Sequence, residues 1–105
     1  MTTSQIQAQI DSITSQLIQK YKPEKIILFG SGASDQMGPD SDLDFFIVKD
    51  DKKDAYHRMV EVSGLVEKDI AADFIIYTPQ ELAERLRLGD PFIKSIVSEG
   101  KILYG

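Results

Sequence analysis

Gly30-Ser31-Gly32-Ala33-Ser34-Asp35-Gln36-Met37-Gly38-Pro39-Asp40-Ser41-Asp42-Leu43-Asp44 decides the fold, because of what stands on either side of it. Before it runs Lys25-Ile26-Ile27-Leu28-Phe29, and after it Phe45-Phe46-Ile47-Val48. Both runs are short, rich in β-branched and aromatic residues, and bounded by turn formers, so each reads as a buried strand. The connection is strand, polar glycine-bearing loop, strand. Asp42 and Asp44 are two apart on an extended chain, which points their side chains to one face and Leu43 to the other. Two carboxylates held about 4 Å apart at an effective dielectric near 20 repel by roughly 4 kcal/mol. No Lys or Arg stands between Gly30 and Asp44 to relieve this, and Asp35 and Asp40 add to it. The pattern calls for a cation.

A hard divalent cation suits the donors. Mg²⁺ takes oxygen ligands and binds through one or two carboxylates plus substrate phosphates. The first half of the loop offers what a phosphate needs. Gly30 and Gly32 allow close backbone approach, and successive N–H groups with the Ser31 hydroxyl can hydrogen-bond anionic oxygens. A phosphate cradle beside a carboxylate pair indicates phosphoryl or nucleotidyl chemistry. A calcium loop is the rival, with Asp40, Asp42 and Asp44 at its first, third and fifth positions. That loop requires Gly at the sixth, Glu at the twelfth and helices on both sides. Phe45 and Asp51 occupy those places and strands flank them, so it fails.

With 105 residues, the chain is expected to form one domain over 1–105, with one core and no separate substrate domain. Cysteine is absent, which removes disulfides and thiolate metal sites. No apolar stretch approaches the ~20 residues of a membrane span, and Met1–Gln9 lacks a basic leader, so a bacterial or archaeal cytoplasm is expected, with no membrane partner. Twelve cationic against 17 acidic residues give a net charge of −5, with no basic run. Unaided nucleic-acid binding normally needs a basic patch to displace counterions, so a template-directed role is disfavoured. A nucleotide substrate remains open.

From Ser4 to Tyr21, Ile6, Ile10, Ile13, Leu17 and Tyr21 recur at helical spacing, with Ser4 and Gln7 as the candidate capping box. Lys22-Pro23-Glu24 ends this helix. After the second strand, an aspartate of Asp50–Asp54 caps a helix over about Ala55–Glu67, expected to turn Tyr56, Met59, Val60 and Val66 inward, with Gly64 weakening its end. His57 reads as a solvated residue. Asp69–Thr78 forms the third strand. Thr78-Pro79-Gln80-Glu81 carries cap, proline and closing glutamate of the next helix, with Leu82, Leu86 and Leu88 inward. Phe92–Ser98 is a further short helix and Lys101–Tyr104 an edge strand. The order gives an α+β fold with helices packed on one mixed sheet. A crossover through Ala55–Glu67 would set the third strand parallel to the second and bring Asp73 to the edge where Asp44 enters. Phe45, Phe46 and Phe74 read as core, not as base-stacking platforms, and Asp35 and Asp40 as loop-surface charges.

Gly30-Ser31, ten residues, then Asp42-Leu43-Asp44, with Asp73 opening Phe74-Ile75-Ile76-Tyr77, resembles the signature of the DNA polymerase β-type nucleotidyltransferases. The compact form, Pro39-Asp40-Ser41-Asp42-Leu43-Asp44 running into an apolar strand and a Pro91–Tyr104 ending, is similar to the minimal nucleotidyltransferases, the antitoxins paired with HEPN-domain ribonuclease toxins. The resemblance implies a polymerase β palm-like fold. It implies that Asp42 and Asp44 hold two Mg²⁺ ions, that Gly30 and Ser31 hold the β- and γ-phosphates of ATP or another nucleoside triphosphate, and that Asp73 is the third carboxylate. It further implies transfer of AMP to a hydroxyl, a tyrosine of the HEPN partner, in a hetero-oligomer. The chain departs from the family at two places. Relatives often carry Arg after the Gly-Ser pair and Arg-Gly two residues later, where this sequence has Gly32 and Ser34-Asp35. A second expectation therefore stands beside the first: a catalytically weak relative that neutralises its partner by binding. A third is a subunit whose small-molecule acceptor site lies on another chain, as in antibiotic-modifying relatives.

Overall fold

The computed structural model describes residues 1–33 and 42–105, with Ser31 and Gly32 described by their backbone. Asp35 and Asp40, the Ser34-Asp35 departure and the Pro39–Ser41 part of the motif lie outside the described residues. The elements are α1 (Thr3–Lys20), β1 (Lys25–Phe29), a 3₁₀ turn (Gly30–Ala33), β2 (Leu43–Val48), α2 (Ala55–Leu65), β3 (Ala72–Tyr77), α3 (Pro79–Arg87), α4 (Pro91–Glu99) and β4 (Lys101–Tyr104). The four strands form one sheet in the order β3-β2-β1-β4, with β2 and β3 parallel and the other pairs antiparallel. The expected mixed sheet and α+β architecture are what the chain adopts.

Alternation along the strands sorts the core into two faces. Ile26, Leu28, Leu43, Phe45, Ile47, Phe74 and Ile76 meet the apolar stripe of α1 (Ile6, Ile10, Ile13, Leu17) and Val62 of α2. Ile27, Phe46 and Val48 face the other way, onto Ile93 and Ile96 of α4. Fully burying such a side chain is worth about 1.5–3 kcal/mol. Phe45 stacks on Phe74 with ring centroids 5.6 Å apart, and the two are register partners. This pair fixes the β2–β3 register, since a one-residue slip would turn every core side chain of a strand to the opposite face. Phe45, Phe46 and Phe74 are all buried, as core residues should be.

Several local expectations need correction. The α1 capping box is Thr2 with Gln5, not Ser4 with Gln7, whose amide instead bonds Asp11 one turn on. The apolar phase alone cannot place a helix start to within a turn when Thr2 and Ser4 both suit a cap. The second helix stops at Leu65, where Lys20 Nζ of α1 donates to the Leu65 carbonyl (3.0 Å) and Gln16 Nε2 donates to the Glu67 carbonyl (2.7 Å). Met59 and the C-cap Val66 pack inward as expected, with Arg58 and Val62 beside them, while Tyr56 and Val60 point outward. Arg58 is buried because its guanidinium has a carboxylate to reach, Glu81 of α3 at 2.6 Å. The third strand starts at Ala72, since the backbone at Glu67 and Asp69 donates to Gln16 and Gln9 side chains of α1 before joining the sheet. On α3, Leu82 packs on the sheet, but Leu86 and Leu88 are exposed because this nine-residue helix sits on the rim. Asp54 caps α2 and Thr78 with Glu81 forms the α3 capping box, both as expected. His57 is exposed, its Nδ1 2.8 Å from Asp54.

Candidate active site

Phe29, Asp44 and Asp73 are successive register partners across β1, β2 and β3. They form one row on the α4 face of the sheet, at the end where the parallel strands begin. The row follows from alternation: Phe45 and Phe74 go into the α1 core, so the residues before them are turned to the opposite side. Asp42, two residues before Asp44, is exposed at the entrance to β2, and Asp73 is likewise exposed. Asp44 is half-buried beside Gly30. Gly30 has φ of +71°, and a Cβ added there would come within 2.6 Å of Asp44 Oδ2. The loop's first residue is thus a glycine for two reasons, left-handed backbone and the carboxylate against it.

Burial pushes the Asp44 carboxyl above its usual range, and the negative charges of Asp73 and Asp42 push it further. Asp44 therefore feels both of the other acids. Among the described residues, no Lys, Arg or His forms an ion pair with any of them. Nor do any three acidic or imidazole side chains among the described residues close into a compact metal cluster. Asp42, Asp44 and Asp73 face the same space without converging on one point. The Ser31 side chain lies outside the description; its backbone continues the turn from Gly30.

Beside this row is a cleft of about 400 Å³ lined, among the described residues, by Phe29, Gly30, Ala33, Phe92, Ser95, Glu99 and Gly100. Phe92 meets Phe29 edge to face, with centroids 5.8 Å apart at 82°. Gly100 also lines the cleft, where an added Cβ would run into Ile27 Cγ2 and the Ile96 carbonyl. Reading the motif outward from Gly30 misses Phe92, which lies 62 residues along the chain. The signal that finds it is the stripe Phe92, Ser95, Glu99 on α4, which flanks the buried stripe of Ile93 and Ile96. The buried charges elsewhere have structural partners: Asp51 accepts from the Tyr21 hydroxyl at 2.7 Å, and Arg58 pairs with Glu81.

Residues 11–105 match the family described as "Polymerase beta, Nucleotidyltransferase". The chain belongs to the polymerase β nucleotidyltransferase family. The fold agrees with that membership. A crystal structure of a "putative nucleotidyltransferase" from Sulfolobus solfataricus superposes with a TM-score of 0.57 and 21% sequence identity, covering 97% of this chain and 87% of that one. No curated protein matches the chain significantly. Nucleotidyltransferases of this family typically use divalent metals, and the donor set here suits one. Asp42, Asp44 and Asp73 offer hard oxygens only, and Asp44 is destabilised by charges that a cation would offset. No helix among the described residues is long and apolar enough to cross a membrane.

Proposed function

We propose that this protein is a metal-dependent nucleotidyltransferase that moves AMP from ATP to a hydroxyl, a tyrosine of a HEPN-domain ribonuclease partner, in the role of an antitoxin. The observation that carries this reading is the register row of Asp44 and Asp73, with Asp42 at its edge and Gly30 against Asp44. Asp42, Asp44 and Asp73 are the residues that would hold Mg²⁺, which supplies charge neutralisation for the polyphosphate and an acidified hydroxyl nucleophile. The open backbone at Gly30 and Ser31 would hold the β- and γ-phosphates. Asp73, exposed at the start of β3, would accept the proton as the acceptor oxygen bonds to the α-phosphorus and the bond to pyrophosphate breaks. Such transfer depends on positioning and electrostatics more than on covalent steps, so a few acids and a loop suffice.

The test is α-labelled ATP with Mg²⁺ and the co-expressed HEPN protein. Label should appear on that partner with the wild-type chain and be lost with Asp42→Asn; equal labelling by both would reject the enzymatic role. A second reading, neutralisation by binding alone, is favoured by the sequence at the loop. Gly32 and Ser34-Asp35 replace two arginines and leave the phosphate cradle without its usual cations. Under that reading Asp42→Asn/Asp44→Asn still forms the complex and still protects cells.

A further inference from the structure

We propose that the cleft between the start of the 3₁₀ turn and α4 takes the base of the donor nucleotide, stacked on Phe92. This rests on the nucleotidyl-transfer reading and adds where the nucleoside lies. Gly30 is the hinge of the inference, because it lines the cleft and also abuts the Asp44 carboxylate. A ligand with its phosphates at Gly30 and the acids has the cleft as an adjoining space. The volume, about 400 Å³, is that of a small-molecule site.

The lining chooses which end of a nucleotide enters. Its one charged side chain among the described residues is Glu99, a carboxylate that repels phosphate but accepts hydrogen bonds. Phe29 and Phe92 supply the apolar walls. Phe92 is 50% exposed, and its edge-to-face contact with Phe29 fixes the ring while leaving part of it open. Every base has a π-face, so stacking of this kind is tolerant of base identity. Phe45, Phe46 and Phe74 cannot serve, being buried in the core. A neutral aromatic group fits this cleft, and an anion does not.

Titration calorimetry with Mg²⁺ throughout compares ATP with inorganic tripolyphosphate on the wild-type chain, Phe92→Ala and Phe92→Tyr. Phe92→Ala should weaken ATP by about 5- to 30-fold, the lower part of the range for losing one base–aromatic stack. Tripolyphosphate should bind both proteins alike, and Phe92→Tyr should restore wild-type ATP affinity. Unchanged ATP affinity in Phe92→Ala, with tripolyphosphate still bound, would overturn the base site and leave the polyphosphate site standing. Equal weakening of both ligands would also overturn it, by showing a structural lesion. Failure of ATP to bind the wild-type chain in the presence of Mg²⁺ would overturn the nucleotidyl-transfer reading itself, and this inference with it.

Discussion

Asp44 is the residue at which function and stability oppose each other. Its carboxyl is held above the usual range first by burial, then by Asp73 and Asp42. An acid whose folded value exceeds its unfolded one contributes stability at low pH that is lost as pH rises through the folded value. At neutral pH the charged Asp44 therefore costs stability. Asp44→Asn should make the fold more stable at neutral pH, by up to about 1 kcal/mol for a like-charged pair across neighbouring strands. The gain should shrink as pH falls below the folded value of Asp44, which denaturant melts at several pH values would reveal. The same variant should lose nucleotidyl transfer. Gly30 makes the complementary case. Gly30→Ala must relieve both a left-handed φ and an overlap with Asp44 Oδ2. A loss of about 1–3 kcal/mol is expected from such backbone strain. Because the overlap is relieved only if the Asp44 carboxylate moves, activity should fall along with stability; a variant with wild-type turnover would show that the contact does not matter.

At the scale of elements, Arg58 joins α2 to α3 over the end of β3. It donates to Glu81 at 2.6 Å and to the Ile76 carbonyl at 3.4 Å, while its Nε is buried without a partner among the described residues. Burial pushes the Glu81 carboxyl up, but the hydrogen bond from Arg58 and the Thr78 backbone N–H outweigh it and hold it below its usual range. A depressed carboxylate contributes stability that is present above its unfolded value and lost as pH falls through the folded one. Glu81→Gln keeps the capping box, since Gln serves at that position, and removes only the charge. It should cost about 1–2 kcal/mol near neutral pH, short of the figure for a fully buried pair because the Glu81 side chain is 47% exposed. The difference from wild type should close in acid; a constant difference across pH would assign the effect to packing. The element scale also shows what the sequence could and could not say. Strand positions were legible from short β-branched and aromatic runs bounded by turn formers, and the parallel β2–β3 pairing from the crossover through the Ala55–Glu67 segment. On the α2 segment Met59 and Val66 were legible as inward, but Arg58 was not, because it reads as a surface residue until Glu81 is brought beside it by the fold. The Asp42–Asp44 side of the site was legible from period-two geometry. Phe92 was not, since nothing local links it to Gly30.

Across the whole molecule the charge is −5, and the end of the sheet that carries Asp42, Asp44 and Asp73 has Glu99 beside it in the cleft wall. An anionic protein with an anionic site should reject a bare triphosphate, since the half-buried Asp44 already carries the repulsion of Asp73 and Asp42. Binding therefore has to be joint, with cation and polyphosphate each lowering the cost of the other. This separates a nucleotidyltransferase site from a generic phosphate loop, where backbone amides alone would hold the anion. A ligand at tenfold its Kd that binds only the folded state adds about 1.4 kcal/mol, which for a chain of this size raises the melting midpoint by roughly 6–10 °C. Thermal melts should show that shift with ATP and Mg²⁺ together, and little with ATP plus a chelator. Mg²⁺ alone should raise the wild-type midpoint slightly and leave Asp44→Asn unmoved, because the relief of Asp44 is its source. An equal shift by ATP with and without the cation would mean that the three acids are bystanders and that the amides of the turn do the binding.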